Sequence, residues 1–320
     1  MIELVRVSYP MRIPISTAHG PITERHALLV GVTEDDTTGW TEVNPLPGFG
    51  LETDLDLVEA AIRSHDDHPA LEAAQLDLAA RKAGVSLAEH LAGAAIDPVV
   101  EVNATVGDLE PDATAKCCGE LVADGFRAVK LKVAVGSIDR DVERVAAARQ
   151  AVGPNVELRL DANQGWTYEQ ASAAIERLAE FDIAYLEEPT ANSTDLARLA
   201  SVGIALAVDE TLTSLDRGLA VIADPFVNVV VLKPAVLGGG GPTLKLARDA
   251  VDAGKRVIVT SFFDGPIGLA TATAVAAASG EPGPHGLGTA SAVVAEFPSA
   301  LVASEGRIHV APGPGIGVTP

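Results

Sequence analysis

The chain has 320 residues, 48% of them hydrophobic and 21% charged, so it can bury a large core and is not a disordered chain. Its 44 acidic and 23 basic residues give a net charge of −21. Nucleic-acid binders carry basic surfaces, so this charge argues against a nucleic-acid partner. The two cysteines, Cys117 and Cys118, are adjacent, where a disulfide is strained, which fits a reducing compartment.

Membrane and export signals are missing from the sequence pattern. The first ten residues, MIELVRVSYP, alternate like a strand and lack a charged region followed by an apolar signal core. The Ala-rich stretch 268–279 is too short to span a bilayer. We therefore expect a cytoplasmic protein with no membrane partner, and no sequence pattern predicts its oligomeric state.

Residues 1–95 read as strands followed by helices, which predicts an α+β domain. The predicted strands are 2–15, 26–33 and 39–43, and the polar stretch 16–25 between the first two is predicted to be a loop. Helical periodicity covers 55–63 and 71–82, and Gly84 is a plausible helix end.

From residue 96 to about 290 apolar strands alternate with helices. Predicted strands are 99–103, 128–133, 156–160, 183–186, 206–208, 227–232, 256–259 and a short one near 286–287. Eight strands joined by helices are typical of a parallel β/α barrel, although a doubly wound open sheet has the same rhythm. The Gly/Pro-rich tail within 291–320 is expected to pack back on the first domain.

Five polar residues end five of these apolar runs. They are Lys132, Asp161, Glu187, Asp209 and Lys233, and the last four are spaced by 26, 22 and 24 residues. That spacing matches one βα unit per step, and barrel active sites are built at the carboxyl ends of the strands. The sequence therefore predicts that the five side chains project into one cavity.

The run KLK places Lys130 and Lys132 on the same face of a strand. Two buried ammonium groups should lower each other's pKa, which could leave one lysine neutral and basic near pH 7. The alternative is an exposed edge strand with solvated lysines. Arg159, Asp161 and Asn163 similarly share a face in VELRLDAN.

The three carboxylates Asp161, Glu187 and Asp209 suggest a divalent cation, because three oxygen ligands with open positions suit Mg²⁺, and Mn²⁺ would also fit. Helix caps and loop salt bridges are the alternative roles. A cation between Lys132 and Lys233 could bind a small carboxylate substrate while one lysine removes the proton α to that carboxylate.

The motifs KLK, DAN, LEEP, VDE and LKP, in this order and spacing, resemble those of the enolase superfamily, in its muconate-lactonizing branch. The resemblance covers nearly the whole chain. It implies a modified TIM barrel, (β/α)7β, in residues 96–290, an N-terminal α+β capping domain in residues 1–95 and a C-terminal tail, 291–320, that returns to the cap.

The resemblance also implies roles for individual residues. It implies Mg²⁺ held by Asp161, Glu187 and Asp209, Lys132 as the base that takes the α-proton, and Lys233 stabilising the resulting enediolate. The implied reaction is a syn elimination of water from a hydroxycyclohexadiene carboxylate, as in menaquinone biosynthesis. Supporting or substrate-binding roles are implied for Lys130, Arg159, Asn163, Ser261 and Gly288, and the segment 16–25, with Thr17 and His19, would cover the substrate.

Two other functions remain open. Lysines on opposite faces of a substrate also serve N-acylamino acid racemisation or a cycloisomerisation. The segment Gly286–Thr289 lacks the paired aspartates with which dipeptide epimerases of this superfamily hold a substrate amine. A metal-binding barrel without catalysis is the remaining alternative, and two retained buried lysines argue against it.

Overall fold

The computed structural model describes residues 1–17, 20–200 and 203–320. It contains an antiparallel sheet with three packed helices, followed by a curled parallel sheet surrounded by helices. The architecture is the predicted (β/α)7β barrel with an N-terminal capping domain, so the open-sheet alternative is wrong.

The cap consists of three antiparallel strands in the order β1-β2-β3 and three helices. The strands are β1 (Ile2–Thr17), β2 (Gly20–Glu34) and β3 (Thr37–Val43), and the helices are α1 (Leu55–Ser64), α2 (Pro69–Ala83) and α3 (Leu87–Ala92). Leu28 and Val30 of β2 pack against Val58, Ile62 and Leu71 of α1 and α2. This contact buries the apolar face of the sheet.

The predicted loop 16–25 is wrong for most of its length. β1 runs to Thr17 and β2 begins at Gly20, so this region forms the end of a long hairpin. Thr23 and Glu24 are exposed, and an exposed polar strand has no alternating burial that could distinguish it from a loop. His19 lies outside the described residues, and the covering role expected of this segment stays a prediction.

The parallel sheet has the order β11-β10-β9-β8-β7-β6-β5. Its strands are β5 (Ala104–Val106), β6 (Ala128–Lys132), β7 (Glu157–Asp161), β8 (Ile183–Glu187), β9 (Leu206–Val208), β10 (Val229–Leu232) and β11 (Arg256–Val259). The surrounding helices are α4 (Pro111–Ala123), α5 (Ile138–Val152), α6 (Tyr168–Leu178), α7 (Leu196–Leu199), α8 (Leu215–Ile222), α9 (Gly240–Asp252) and α10 (Pro266–Ser279). Isolated bridges from His285 to Val102 and from Gly286 to Thr260 close the barrel where a short last strand was predicted.

The predicted first barrel strand, 99–103, is right only at its end, where Val102 bridges to His285. β4 (Val99–Glu101) pairs antiparallel with β12 (Arg307–His309), and the first strand of the barrel is Ala104–Val106. Two short apolar segments follow each other here, and pattern alone cannot show which of them joins the parallel sheet.

Local signals explain several element boundaries. Capping boxes start α3 at Ser86 and α6 at Thr167, and Gly84 ends α2 in the left-handed conformation that glycine favours. Gly39 allows β3 to lie against α2, because a Cβ atom there would stand 2.2 Å from the carbonyl oxygen of Ala74. The cap is therefore packed backbone to backbone at this point.

The C-terminal tail contacts the cap helices. The backbone amide of Leu87 donates to the carbonyl oxygen of Gly315 (2.6 Å), and Arg81 donates to that of Val318 (2.7 Å). The carboxylate of Asp77 accepts from the backbone amides of Ile316 (2.6 Å) and Trp40 (2.8 Å). In the described parts of the chain, every helix is too short or too polar to cross a membrane.

Candidate active site

Three charged residues form a row across neighbouring strands of the barrel. Lys132, Asp161 and Glu187 are direct partners in the β6–β7–β8 register, and each ends its strand. Asp209 and Lys233 follow the last residues of β9 and β10. The five predicted side chains therefore meet at the carboxyl ends of the strands, which we call the mouth of the barrel.

Lys130 and Lys132 share one carboxylate oxygen. The Nζ atoms of Lys132 and Lys130 lie 2.6 and 3.0 Å from Oδ2 of Asp161, and Lys130 also donates to both oxygens of Glu187 at 3.1 Å. Lys130 is mostly buried, whereas the Lys132 side chain remains 32% exposed. Of the two, Lys132 is therefore the lysine open to a substrate.

The expectation that the two lysines lower each other's pKa is wrong for Lys130. Burial opposes its charge, but the attraction of Asp161 and Glu187 is stronger and raises its pKa well above the usual value. Burial likewise opposes the charge of Asp161, yet the ammonium groups of Lys130 and Lys132 hold the pKa of this carboxyl well below its usual range. The acids, and not the second lysine, decide the charge of Lys130.

Lys233 lies across the barrel from Lys132, because three strands separate β6 from β10 on one side and β11, the closing segment and β5 on the other. Its ammonium group is buried and donates to Oδ1 of Asp209. The same ammonium lies 4.8 Å from the ring centroid of Phe49 and 5.8 Å from that of Phe262. Lys233 is thus held between a carboxylate and an aromatic wall.

Phe49 and Phe262 form the edge-to-face pair of this wall, with their ring centroids 4.6 Å apart. Phe49 belongs to the connection after β3 of the cap, and Phe262 belongs to the β11–α10 connection of the barrel. Leu46 and Val236 extend the wall on either side. One side of the mouth is therefore apolar and is built jointly by cap and barrel.

Two further carboxylates, Glu188 and Glu210, were missed by the sequence prediction. Asn163 accepts from Lys132 (2.7 Å) through its amide oxygen and donates to Oε1 of Glu210 (2.8 Å) through its amide nitrogen. Glu188 accepts from the backbone amides of Asp209 and Thr211, both at 2.7 Å. Both acids directly follow predicted metal ligands in LEEP and VDE, and that adjacency was the available signal.

The mouth holds more acidic than basic side chains. Four carboxylates, those of Asp161, Glu187, Asp209 and Glu210, lie among three ammonium groups, and Oε2 of Glu210 is buried without a hydrogen-bond partner in the described structure. Burial, followed by repulsion from Asp209 and Asp161, raises the pKa of Glu210 to about 8. A bound divalent cation would neutralise this excess, so the donor set suits Mg²⁺ in charge and chemistry.

The arrangement of the acids is nevertheless not that of an assembled metal site. Among the residues that the structure describes, no three His, Cys, Asp or Glu side chains converge closely enough to hold a metal ion. Each predicted ligand is hydrogen-bonded to a lysine instead, Asp161 and Glu187 to Lys130 and Asp209 to Lys233. Metal binding would require these lysines to move off the carboxylates.

Ser261 and Gly288 lie at the same end of the barrel. The hydroxyl oxygens of Ser261 and Thr289 are 2.7 Å apart. Gly288 lies against the backbone of Asn103, because a Cβ atom on Gly288 would stand 3.2 Å from the carbonyl oxygen of Asn103. Thr289 is a further residue that the prediction did not name.

Arg159 is the one predicted residue that points away from the mouth. It is fully buried, and its guanidinium donates to Glu157 (2.8 Å), to Asn103 (3.0 Å) and to the carbonyl oxygen of Pro284 (2.7 Å). Glu157 is the first residue of β7, so these bonds lie toward the amino ends of the strands, which we call the base of the barrel. This position argues against direct contact with a substrate at the mouth.

Known families match both parts of the chain. A family model described as "Enolase C-terminal domain-like" matches residues 113–320, and one described as "MenC, N-terminal domain" matches residues 1–91. Together they cover the cap, the barrel and its tail except for residues 92–112, which include β5.

Similar proteins include enzymes of two kinds. The o-succinylbenzoate synthase of Thermobifida fusca is 32% identical over 269 residues, which cover 83% of this chain and 74% of that protein. The hydrophobic dipeptide epimerase of Enterococcus faecalis is 34% identical over 214 residues, 65% of this chain and 59% of that protein. The crystal structure of a dipeptide epimerase from Enterococcus faecalis, complexed with Mg and L-Leu-L-Tyr, matches with a TM-score of 0.86 at 25% identity, covering 99% of this chain and 98% of that one. The chain belongs to the o-succinylbenzoate synthase family of the enolase superfamily.

Proposed function

We propose that the protein dehydrates 2-succinyl-6-hydroxy-2,4-cyclohexadiene-1-carboxylate to o-succinylbenzoate, as an Mg²⁺-dependent carbon–oxygen lyase of menaquinone biosynthesis. The observation that carries the proposal is the placement of Lys132 and Lys233 on opposite sides of the mouth, with the three predicted metal ligands between them. Similarity to o-succinylbenzoate synthases over more than four fifths of the chain supports this choice of substrate.

Asp161, Glu187 and Asp209 would hold the Mg²⁺. When bound, the ion supplies positive charge that acidifies the carbon next to the substrate carboxylate. Glu188 would keep Asp209 oriented, because its carboxylate accepts the backbone amide of that residue.

Lys132 would act first as base and then as acid. After losing its own proton to solvent, the Lys132 amine would take the α-proton, and the carbon–oxygen bond to the hydroxyl on the neighbouring carbon then breaks. The new ammonium returns the proton to the departing hydroxide, so water leaves and the ring becomes aromatic. The accessible side of Lys132, with Asn163 fixing its amine, supports both transfers from one face.

Lys233 would stabilise the enediolate from the other side. Its buried ammonium lies 4.8 Å from the centroid of the Phe49 ring, and with Asp209 holding the Mg²⁺ instead, it would be free to face the negative charge that develops on the substrate. The apolar wall beside Lys233 suits the hydrocarbon ring of the substrate, because that ring carries no charge.

A spectrophotometric assay tests the proposal. Purified protein is mixed with the cyclohexadiene substrate in Mg²⁺ or in EDTA, and loss of the diene absorbance is followed. We expect metal-dependent turnover that the Lys132→Ala variant lacks. Folded, Mg²⁺-loaded protein that leaves the diene unchanged would refute the assignment.

Racemisation or epimerisation is the second candidate function, because a lysine on each side of the substrate can exchange the α-proton from either face. The similarity to the hydrophobic dipeptide epimerase of Enterococcus faecalis favours testing it. Incubation of N-acylamino acids and dipeptides in D₂O would reveal it as deuterium at the α-carbon together with loss of optical rotation.

A further inference from the structure

Helix α10 is capped by a residue of the other domain. Its own N-cap residue is Gly265, which has no side chain to accept the free amides of the first turn. Glu42 of β3 in the cap accepts from the backbone amides of Gly265 (2.6 Å) and Gly268 (3.0 Å), one on each carboxylate oxygen. Glu42 is buried, so water does not compete for these bonds.

The contact leaves no spare room. A Cβ atom on Gly265 would stand 2.4 Å from the ring of Tyr9 in β1, and one on Gly268 would stand 2.6 Å from the Cβ atom of Asp264. The cap sheet and the start of α10 therefore touch at a fixed separation, which the missing side chain of Gly265 makes possible, whereas Gly268 leaves room for Asp264 of the same connection.

A second set of bonds holds the connection that leads from β11 into α10. Asn44, next to β3, donates to the carbonyl oxygen of Phe263 (3.3 Å) and to Oδ1 of Asp264 (3.4 Å). Oδ2 of Asp264 accepts from the backbone amide of Phe262 (3.0 Å). Phe263 adopts a φ of 53°, a conformation that costs a non-glycine residue energy and persists only when neighbouring contacts enforce it.

The segment held in this way belongs to the mouth. It begins with Ser261, and Phe262 supplies half of the aromatic pair beside Lys233. The other half, Phe49, comes from the cap itself. Any shift of the cap relative to the start of α10 must therefore open or distort this wall.

We propose that Glu42 is a positioning residue that fixes the Ser261–Phe262 segment against the cap and thereby sets the shape of the substrate site. Glu42 touches no reacting atom, and its effect on the site passes through α10 and Phe262. The inference rests on the proposed function only for its kinetic readout, because hydrogen exchange can measure the contact between Glu42 and α10 without any substrate.

The test compares Glu42→Gln with a matched buried carboxylate. Burial, followed by repulsion from Asp264, raises the pKa of Glu42 to about 8, so the amide replacement mainly removes one of two accepted hydrogen bonds. Asp77 is the control, because it also is buried and accepts two backbone amides, those of Trp40 and Ile316, but joins the tail to the cap. Asp77→Asn therefore removes the same kind of accepted amide hydrogen bond away from the mouth, and it also removes the ion pair of Asp77 with Arg81 (2.7 Å), so it is the more disruptive of the two changes.

We expect Glu42→Gln to raise KM about tenfold with kcat changed less than threefold, below its unfolding temperature. Hydrogen exchange of the amides of Phe262, Gly265 and Gly268 should become at least about tenfold faster. Asp77→Asn should leave both KM and these amides as in the wild type. If Glu42→Gln destabilises the fold too far, Asn44→Ala should give the same changes at smaller size.

Faster exchange with an unchanged KM would overturn the proposal, because Glu42 would then cap α10 without shaping the site. Unchanged exchange at Phe262 and Gly265 would overturn it directly. Protein that turns over no carboxylate substrate would refute the proposed function alone, since exchange still reports whether Glu42 holds the segment.

Discussion

The mouth and the base of the same barrel treat charge in opposite ways. At the base, Glu157 accepts from Arg159 and Arg256, and each guanidinium also donates to a backbone carbonyl oxygen, that of Pro284 or Gly283. At the mouth, four carboxylates lie among three lysines, and Oε2 of Glu210 is buried without a hydrogen-bond partner in the described structure. At the base, two guanidiniums share one carboxylate, and Nη2 of Arg159 is the buried atom without a partner among the described residues there. The base therefore encloses an excess of basic groups, whereas the mouth holds an excess of acidic groups at the end of the barrel where Lys132 is open to a substrate.

Replacement of Lys132 should give the largest change in activity, and its effect should be confined to the mouth. Loss of a positioned base and acid slows proton transfer by about 10²–10⁴-fold, so we expect Lys132→Ala to lower kcat by roughly 10³-fold with little change in stability. Steady-state kinetics and urea unfolding check the two parts. Lys116→Ala, on the exposed surface of α4, is the control and should keep wild-type kcat. Near-normal turnover by Lys132→Ala would exclude it as the base.

Replacement of Glu157 should have the reverse pattern. Glu157→Ala leaves the buried Arg159 without its carboxylate, and breaking such a pair costs about 3–5 kcal/mol of unfolding free energy. Urea unfolding should show this loss, while KM of the folded variant stays unchanged. Glu143→Ala, at an exposed position of α5, should cost almost nothing. A changed KM in Glu157→Ala would mean that base and mouth are coupled.

The segment that closes the barrel should also make the protein acid-labile. Burial lowers the pKa of His285 to about 4, and its neutral ring accepts the backbone amide of Val259 at 3.0 Å. The unfolded chain protonates this histidine near pH 6.5, so the unfolding free energy should fall as pH drops from about 6.5 to about 4, by up to about 3 kcal/mol. Urea unfolding at pH 7, 5.5 and 4 measures the slope. His285→Asn should flatten it, and an equally steep slope in that variant would assign the effect to other groups.

Mg²⁺ should stabilise the mouth by a somewhat smaller amount. A ligand that binds only the folded protein adds about 2.7 kcal/mol at 100 times its dissociation constant. We expect Mg²⁺ to raise the unfolding free energy of Glu157→Ala as much as that of the wild type, and to leave that of Asp161→Asn unchanged. Urea unfolding in Mg²⁺ and in EDTA measures the difference. Equal stabilisation of Asp161→Asn would place the cation elsewhere.

The residues that end strands could be predicted because two constraints act on them together. Asp161 and Glu187 each follow an apolar run, and the βα spacing brings such run ends to one edge of the sheet. Arg159 obeys the same strand parity but points to the base, because Glu157, Asn103 and the closing segment at Pro284 supply its acceptors. The alternation of residues along a strand shows which face a side chain lies on. It does not show whether that side chain points toward the mouth or toward the base.

Contacts between distant segments could not be predicted from the sequence pattern. Nothing in the local pattern of Glu42 distinguishes it from a surface acid on a strand, and its partners Gly265 and Gly268 lie more than 220 residues away. The segment 99–103 failed for a related reason, because its partner β12 lies near the end of the chain. In each case the deciding interaction is made by tertiary packing, which a window of neighbouring residues does not contain.

The register that aligns Lys132, Asp161 and Glu187 has a consequence for how this molecule can change. Backbone pairing between β6, β7 and β8 sets their relative height, so loops grafted between strands and helices would leave the row intact. One residue inserted within β7 would instead turn Asp161 toward the helices and remove it from the row. The strand register must therefore stay unchanged, whereas the loops can vary. A library of variants confined to the loops should keep the proton-transfer chemistry and accept different substrates.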